Sequence, residues 1–265
     1  MTKQQVLDSG YVELVESWGS DERIVEAARM STAKGFLGWG PKCSNCGFRR
    51  NRIISEAFAP ESKSCPGCGA RCKTVPGDEK LLKHLWKNRH ATPFEMAGMT
   101  IEVKAPIMVF REWHRHRTQS YNEMSARYVP LPDENYMPSL QRVMNGANTK
   151  TTNKQAQNVN GKVLSVSDAL DWLAALGVVY EHAQRVYELG LELGVPKELA
   201  RLPVPVARYS VMRASANLRN WIGFLQLRKH KAAQWEIRQY ADVVAQIISR
   251  EFNRVYKVAR GSFKG

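Results

Sequence analysis

Residues 115–128 have the sequence RHRTQSYNEMSARY and carry the most informative chemistry of the chain. Three arginines and one histidine are interleaved there with small hydrogen-bonding side chains. Burial of guanidinium groups without anions is very costly, and their forked geometry suits phosphate oxygens. The pattern therefore predicts an anion-binding site. A solvated basic face would account for the arginines, but not for Ser120, Tyr121, Asn122 and Ser125 among them.

The segments on either side predict a mixed α/β (α+β) fold with a sheet core flanked by long helices. Apolar residues that alternate with polar ones indicate strands, and apolar residues spaced by three or four indicate helices. The predicted strands are 11–16, 100–104 and 204–214. The predicted helices are 22–32, 78–88, a helix from 106 towards 113, 167–194, 217–228 and 232–257. Asp21 is the predicted N-cap of the first helix.

The chain of 265 residues is long enough to bury a large core, and we expect residues 1–265 to form a single domain. Within it, residues 39–77 lack helical or strand periodicity and are predicted to be an inserted subdomain. Residues 144–162 are almost wholly polar and predict a mobile surface loop.

The chain is strongly basic, with 39 Lys and Arg against 25 Asp and Glu and a formal charge of +14. This excess favours a polyanionic partner, such as a nucleotide, a phosphorylated cofactor, a nucleic acid or an anionic membrane face. A hydrophobic content of 43% excludes wholesale disorder and fibrous classes. The longest uncharged apolar stretch, Trp172–Tyr180, is too short to span a bilayer, and the N-terminus lacks a secretory pattern. We therefore expect a cytoplasmic protein without a membrane partner.

Two CxxC pairs within the insertion, Cys43/Cys46 and Cys65/Cys68, are separated by 18 residues. This spacing is typical of a four-thiolate structural zinc site, since two knuckles complete a tetrahedron. An iron site or uncoordinated thiols are the alternatives, and Cys72 could replace one ligand. The arginines of this zinc ribbon could also contact nucleic acid, so a nucleic-acid-binding zinc protein is an alternative function.

The 115–128 stretch resembles the signature of the flavin-dependent thymidylate synthases, which is Arg-His-Arg, seven residues and then Ser. Arg115–Arg117 and Ser125 match it. The resemblance extends over nearly all of the chain outside 39–77 and 144–162. Further matching segments are His90–Glu95, Val103–Ile107, Gly194–Pro196, Ala200–Arg201 and Ala233–Glu236.

This resemblance implies methylation of dUMP to dTMP, with methylenetetrahydrofolate as carbon donor and FAD reduced by NADPH. It also implies a homotetramer whose active sites lie between chains. All five cysteines lie in the insertion, so the methylation would proceed without a thiol nucleophile. A related enzyme that hydroxymethylates a pyrimidine nucleotide is a further alternative.

The resemblance also carries site residues over to this chain. The implied flavin-binding residues are Ser31, His90, Thr92, Arg115, His116, Arg117, Asn122, Glu123, Asn217 and Arg219. The implied dUMP-binding residues are Glu112, Arg115, Glu123, Ser125, Ala126, Arg127, Arg201 and Arg228. Of these, Arg228, Ser125 and Arg115 are the implied catalytic residues, and Arg228 would polarise the uracil ring.

The chain departs from the family pattern at three positions near this site. Glu112 stands where many members carry glutamine, and a carboxylate there should contact ribose or an arginine rather than a phosphate. Gly223 and Ala232 replace an asparagine and a histidine on the flavin side.

Overall fold

The computed structural model describes residues 3–40, 42–47, 65, 67–69, 74–75, 77–148 and 163–263. The strands are β1 (Gln4–Val6), β2 (Gly10–Trp18), β3 (Lys42–Cys43), β4 (Thr74–Val75), β5 (Gly98–Pro106), β6 (Ser120–Glu123) and β7 (Tyr209–Asn217). The helices are α1 (Asp21–Arg29), α2 (Asp78–Lys87), α3 (Ile107–Trp113), α4 (Leu140–Asn148), α5 (Val166–Glu192), α6 (Lys197–Ala200), α7 (Leu218–Arg228), α8 (Trp235–Glu251) and α9 (Asn253–Ala259). The predicted mixed α/β fold is confirmed.

An antiparallel sheet with strand order β1-β2-β5-β7-β6 forms the centre of the fold. Met99, Ile101 and Val103 of β5 are fully buried, because alternate side chains of a strand point to the same face. Helix α7 packs on β5 and β7, and α8 packs on β1 and β2. Trp221 and Val244 from these two helices are also fully buried in the same core.

Strand β6 lies inside the basic motif and was not predicted. It pairs with β7 at the end of the sheet order, and its side chains are exposed or half-buried. An edge strand of this kind shows no apolar alternation in its sequence, because neither face is fully covered. Its pairing places the motif at the edge of the sheet.

Several predicted boundaries are corrected by side-chain contacts. Ser20, not Asp21, caps α1, since its Oγ accepts from the Arg23 N–H at 3.3 Å. Asp21 is buried and accepts from the backbone N–H groups of Arg254 and Val255. The helix expected over 232–257 is interrupted at Phe252, which separates α8 from α9.

Two further segments differ from their predictions. The strand expected over 204–214 is displaced towards the C-terminus, as β7 over Tyr209–Asn217. The polar loop expected over 144–162 begins inside helix α4, which continues to Asn148, while residues 149–162 lie outside the described residues.

The two ends of the predicted insertion lie against each other. The buried carboxylate of Asp78 accepts from the N–H groups of Leu37 and Gly38, at 2.6 and 3.1 Å, and pairs with Arg29. At Gly77, an added Cβ would lie 2.2 Å from the carbonyl oxygen of Trp39, so only glycine allows this approach. The chain thus leaves and rejoins the core at one place.

Helix α5 is far less buried than its apolar spacing suggests. Trp172, Val179 and Leu189 are 49%, 58% and 52% exposed, and the buried residues of this helix are Ala169, Ala183 and Tyr187. A large apolar face of α5 is therefore uncovered in the single chain. No helix within the described ranges combines the length and the apolar character that a bilayer crossing requires.

Candidate active site

The loop between α3 and β6 presents two of the three arginines of the motif, Arg115 and Arg117. The Tyr121 hydroxyl lies 3.1 Å from the main-chain oxygen of Trp113 and 2.7 Å from that of His116. The indole N–H of Trp113, which is fully buried, donates to Gln119 Oε1 at 3.1 Å. These contacts hold the loop to the core, and Arg115 and Arg117 extend from it as exposed side chains.

His116 is buried between these two arginines, with its ring 4.9 Å from that of Phe224. Arg228 Nε donates to His116 Nε2 at 2.8 Å. Burial, and then the positive charge of Arg228, lower the pKa of His116 to about 4. The imidazole is therefore neutral at neutral pH and accepts through Nε2, with its proton on Nδ1.

Arg228, the last residue of α7, is held by three hydrogen bonds. Besides the bond to His116, its Nη1 donates to Glu112 Oε2 and its Nη2 donates to the Glu112 carbonyl oxygen, both at 2.7 Å. Glu112 thus contacts an arginine, one of the two contacts expected from the sequence. A guanidinium has five N–H donors, so one N–H on each Nη nitrogen of Arg228 is left to a ligand.

A cavity of about 870 Å³ opens beside these residues, and we call it the arginine cavity. Five of the residues expected to bind flavin line it: His90, Arg115, His116, Arg117 and Arg219. Arg219 pairs with Glu95. Within the described ranges, Arg115 and Arg117 have no acidic partner. The cavity therefore carries uncompensated positive charge suited to a phosphorylated ligand.

A second cavity, of about 520 Å³, is called the serine cavity after Ser125. Four of the residues expected to bind dUMP line it: Glu123, Ser125, Ala126 and Arg201. The remaining lining residues include apolar side chains such as Phe110, Leu131 and Val204. This cavity combines an apolar wall with one serine and one arginine of the predicted site.

The other predicted residues lie outside both linings. Ser31 and Thr92 are exposed in short 3₁₀ turns, and Asn122 is exposed on β6. Asn217 caps α7 by accepting from the Asn220 N–H at 3.0 Å. Arg127 is exposed and pairs with Glu198 at 3.4 Å.

The residues implied to bind dUMP are thus divided between two places. Arg115 lines the arginine cavity, and beside it Arg228 contacts both His116 and Glu112. Of the other five, four line the serine cavity and Arg127 lies outside it, and the two linings have no residue in common. One chain by itself does not bring the whole predicted set to one cavity.

Sequence reasoning missed four charged or titratable lining residues. Arg111 and His114 line the serine cavity and come from α3 and its end. Both could have been proposed from the sequence, because they lie just before the motif at 115–128. Lys87 and Arg89 line the arginine cavity, and no motif pointed to them.

The four predicted metal ligands come together. The Sγ atoms of Cys43, Cys46, Cys65 and Cys68 all lie within 4.8 Å of one another. Two of these separations are 4.0 Å (Cys43 to Cys68) and 3.6 Å (Cys46 to Cys65). Tetrahedral zinc–thiolate geometry requires about 3.8 Å between sulfurs.

Each cysteine pair forms a knuckle. The N–H groups of Asn45 and Cys46 point to Cys43 Sγ, at 3.3 and 3.5 Å, and the Gly67 N–H points to Cys65 Sγ at 3.3 Å. Gly47 and Gly69 have φ angles of 72° and 68°, the left-handed conformation expected for knuckle glycines. Gly67 contributes its N–H group to the knuckle of Cys65. Cys72 and the arginines of the insertion lie outside the described residues.

The comparisons with known proteins agree with the motif. The family model described as "Thymidylate synthase complementing protein" matches residues 13–252. A flavin-dependent thymidylate synthase of Thermus thermophilus is 36% identical over 92% of this chain and 73% of its own length. That of Thermotoga neapolitana is 34% identical over 99% of this chain and 97% of its own.

A solved structure of the UMP/dUMP methylase PolB from Streptomyces cacaoi, bound with 5-Br UMP, is also similar. It is 28% identical, covers 97% of this chain and 96% of its own, and has a TM-score of 0.72. Sequence and fold therefore agree over most of the chain, and the chain is an enzyme that belongs to the flavin-dependent thymidylate synthase family.

Proposed function

We propose that this enzyme methylates dUMP to dTMP, with methylenetetrahydrofolate as carbon donor and FAD reduced by NADPH as the source of electrons. The observation that supports it best is the arginine cavity, where Arg115 and Arg117 have no acidic partner among the described residues and lie beside Arg228 and a neutral His116. The names of the relatives and of the solved methylase agree with this substrate class.

The arginine cavity has the size and charge for a flavin dinucleotide. Its volume of about 870 Å³ exceeds what a mononucleotide needs, and its guanidinium groups suit a pyrophosphate. His90, Arg115, His116, Arg117 and Arg219 would hold it. Reduced FAD supplies the two electrons and two protons by which the transferred methylene group becomes a methyl group and tetrahydrofolate is released.

We assign to Arg228 the role of polarising the uracil ring. Three of its N–H groups are engaged by His116 and Glu112, so its head is fixed in one orientation. The two remaining N–H groups can donate to a uracil carbonyl oxygen and stabilise the negative charge that develops there. Among the described residues that line the two cavities there is no cysteine, in keeping with a reaction without an enzymic thiol.

We also propose that the active chain is a homotetramer with active sites between chains. Helix α5 exposes apolar side chains, including Trp172, Val179 and Leu189, that a second copy would cover. The division of the implied dUMP-binding residues between two cavities supports the same assembly, because the arginine cavity of one chain can meet the serine cavity of another.

The purified enzyme should show flavin absorbance and should form dTMP, identified by mass, when dUMP, methylenetetrahydrofolate and NADPH are all present. Omission of any one component should abolish product. Replacement of NADPH by NADH tests the reductant, and UMP in place of dUMP tests the sugar. A protein that binds no FAD, or one that yields a hydroxymethylated nucleotide, would contradict the proposal.

The four-cysteine cluster fits a structural zinc ion. Four thiolates complete a tetrahedron and leave no open coordination position. The ion would therefore stabilise the fold of the insertion rather than take part in the reaction. None of these four cysteines lines the arginine cavity or the serine cavity, which supports a structural rather than a catalytic role for the ion.

Mass spectrometric metal analysis should find about one zinc ion per chain. The double variant C43S/C46S should lose the metal but keep flavin absorbance and dTMP formation, whereas C72S should keep the metal. Cobalt substitution should give the strong visible bands of a tetrahedral thiolate site. Loss of metal in C72S, or retention in C43S/C46S, would refute this ligand set.

A further inference from the structure

Arg89 occupies a backbone position that normally favours glycine. Helix α2 ends at Lys87, and two hydrogen bonds close the turn after it: His90 N–H to Leu85 O at 2.9 Å and Arg89 N–H to Trp86 O at 3.1 Å. This pair of bonds, the Schellman motif, places the residue after the C-cap in the left-handed conformation. Arg89 has the corresponding φ of 57°, which a residue with a Cβ adopts at a cost.

Packing does not explain an arginine there. Leu7, another described non-glycine residue with positive φ, packs its side chain against the core. Arg89 is exposed, and within the described ranges its guanidinium has no acidic partner. Strained backbone that neither packing nor pairing explains is concentrated at ligand-binding sites.

The surroundings of Arg89 indicate what it binds. Arg89 lines the arginine cavity together with Lys87, Arg115 and Arg117. None of these four cations has an acidic partner among the described residues. Two of them come from the end of α2 and two from the loop after α3, so positive charge converges on the cavity from separate elements. A ligand that carries several negative charges would satisfy all four.

We propose that Arg89 is a further cofactor-binding residue, whose guanidinium holds a phosphate group of the flavin dinucleotide in the arginine cavity. The inference rests on the proposed function, which places FAD in this cavity. A phosphate of NADPH offers the same chemistry, and the experiment separates the two sources.

Two substitutions separate the charge of Arg89 from its backbone conformation. Arg89→Gln removes the charge and keeps the Cβ, so the dissociation constant of FAD should rise about tenfold while the melting temperature of the flavin-free enzyme stays unchanged. Arg89→Gly should weaken FAD equally but raise that melting temperature by about 2 °C or more, because glycine relieves the left-handed strain. A purely structural arginine would not give these opposite effects.

Arg250→Gln is the matched control, since it removes the same charge from the exposed surface of α8, away from both cavities. It should leave FAD affinity unchanged. FAD affinity should also weaken less steeply with salt in Arg89→Gln than in the wild type, because one ionic contact is missing. At saturating FAD, the KM for NADPH should be unchanged in both Arg89 variants.

The alternative outcomes are decisive. FAD dissociation constants within threefold of wild type in both Arg89 variants would overturn this inference while the proposed function stands. A raised KM for NADPH with unchanged FAD affinity would overturn the flavin assignment. A wild-type enzyme that binds no FAD would instead overturn the proposed function, and this inference with it.

Discussion

Replacement of Arg228 by alanine should lower kcat for dTMP formation about 100- to 1000-fold, the usual loss when one preorganised donor to a developing anion is removed. Arg228 has two N–H groups left for the uracil, and its orientation is fixed by His116 and Glu112. Steady-state kinetics with product identification measure the effect. The KM for dUMP should change much less, because the contact strengthens in the transition state.

Two variants give this result a physical interpretation. Arg228→Lys keeps the charge but cannot reproduce three hydrogen bonds from one planar group, so most of the loss should remain. Glu112→Gln keeps an acceptor for Nη1 and should retain most of the activity. Flavin absorbance and melting temperature should stay close to wild type in all variants. An Arg228→Ala enzyme within tenfold of wild-type kcat would remove Arg228 from the chemical step.

Mixing two inactive variants should restore activity if the active sites lie between chains. Arg228→Ala disables the side of the site beside the arginine cavity, and Arg201→Ala disables the serine cavity. After unfolding and joint refolding, random assembly would leave about a quarter of the shared sites with both arginines intact, so activity should return to about a quarter of wild type.

The controls for this experiment are each variant refolded alone and the two mixed without unfolding. A variant refolded alone should stay nearly inactive, since every site lacks the same arginine. The mixture that was not unfolded should also stay nearly inactive, since no chains are exchanged. An equally inactive refolded mixture, with the tetramer verified by light scattering, would contradict shared sites and place both arginines in the same chain's site. Recovery without exchange would indicate that neither variant was fully disabled.

The four-cysteine cluster shows what local spacing can predict. Two residues between cysteines, followed by a glycine, specify a knuckle by short-range geometry alone, and the four sulfurs are found within 4.8 Å. This prediction did not depend on the identity of the residues between the two cysteine pairs. The convergence of the four sulfurs could be predicted because each half of the cluster is encoded in a few consecutive residues.

Helix α5 shows that sequence spacing can predict a helix correctly without predicting which of its side chains are buried. The apolar periodicity of 167–194 predicted a helix, and α5 covers nearly that range. Periodicity does not reveal what covers the apolar side, and most of it is exposed in the single chain. Burial depends on neighbours from elsewhere in the chain or from another copy.

The sequence by itself determined the mixed α/β class, the family motif at 115–128 and the cysteine knuckles, because each depends on residues close together in the chain. The tertiary structure alone decided that Arg228 meets His116 and Glu112 across 112 and 116 residues, and that the implied dUMP-binding residues divide between two cavities. It also decided that Arg89 faces the arginine cavity in a left-handed conformation. These features arise when the sheet brings α3, α7 and the end of α2 together, and no local pattern of side chains records that packing.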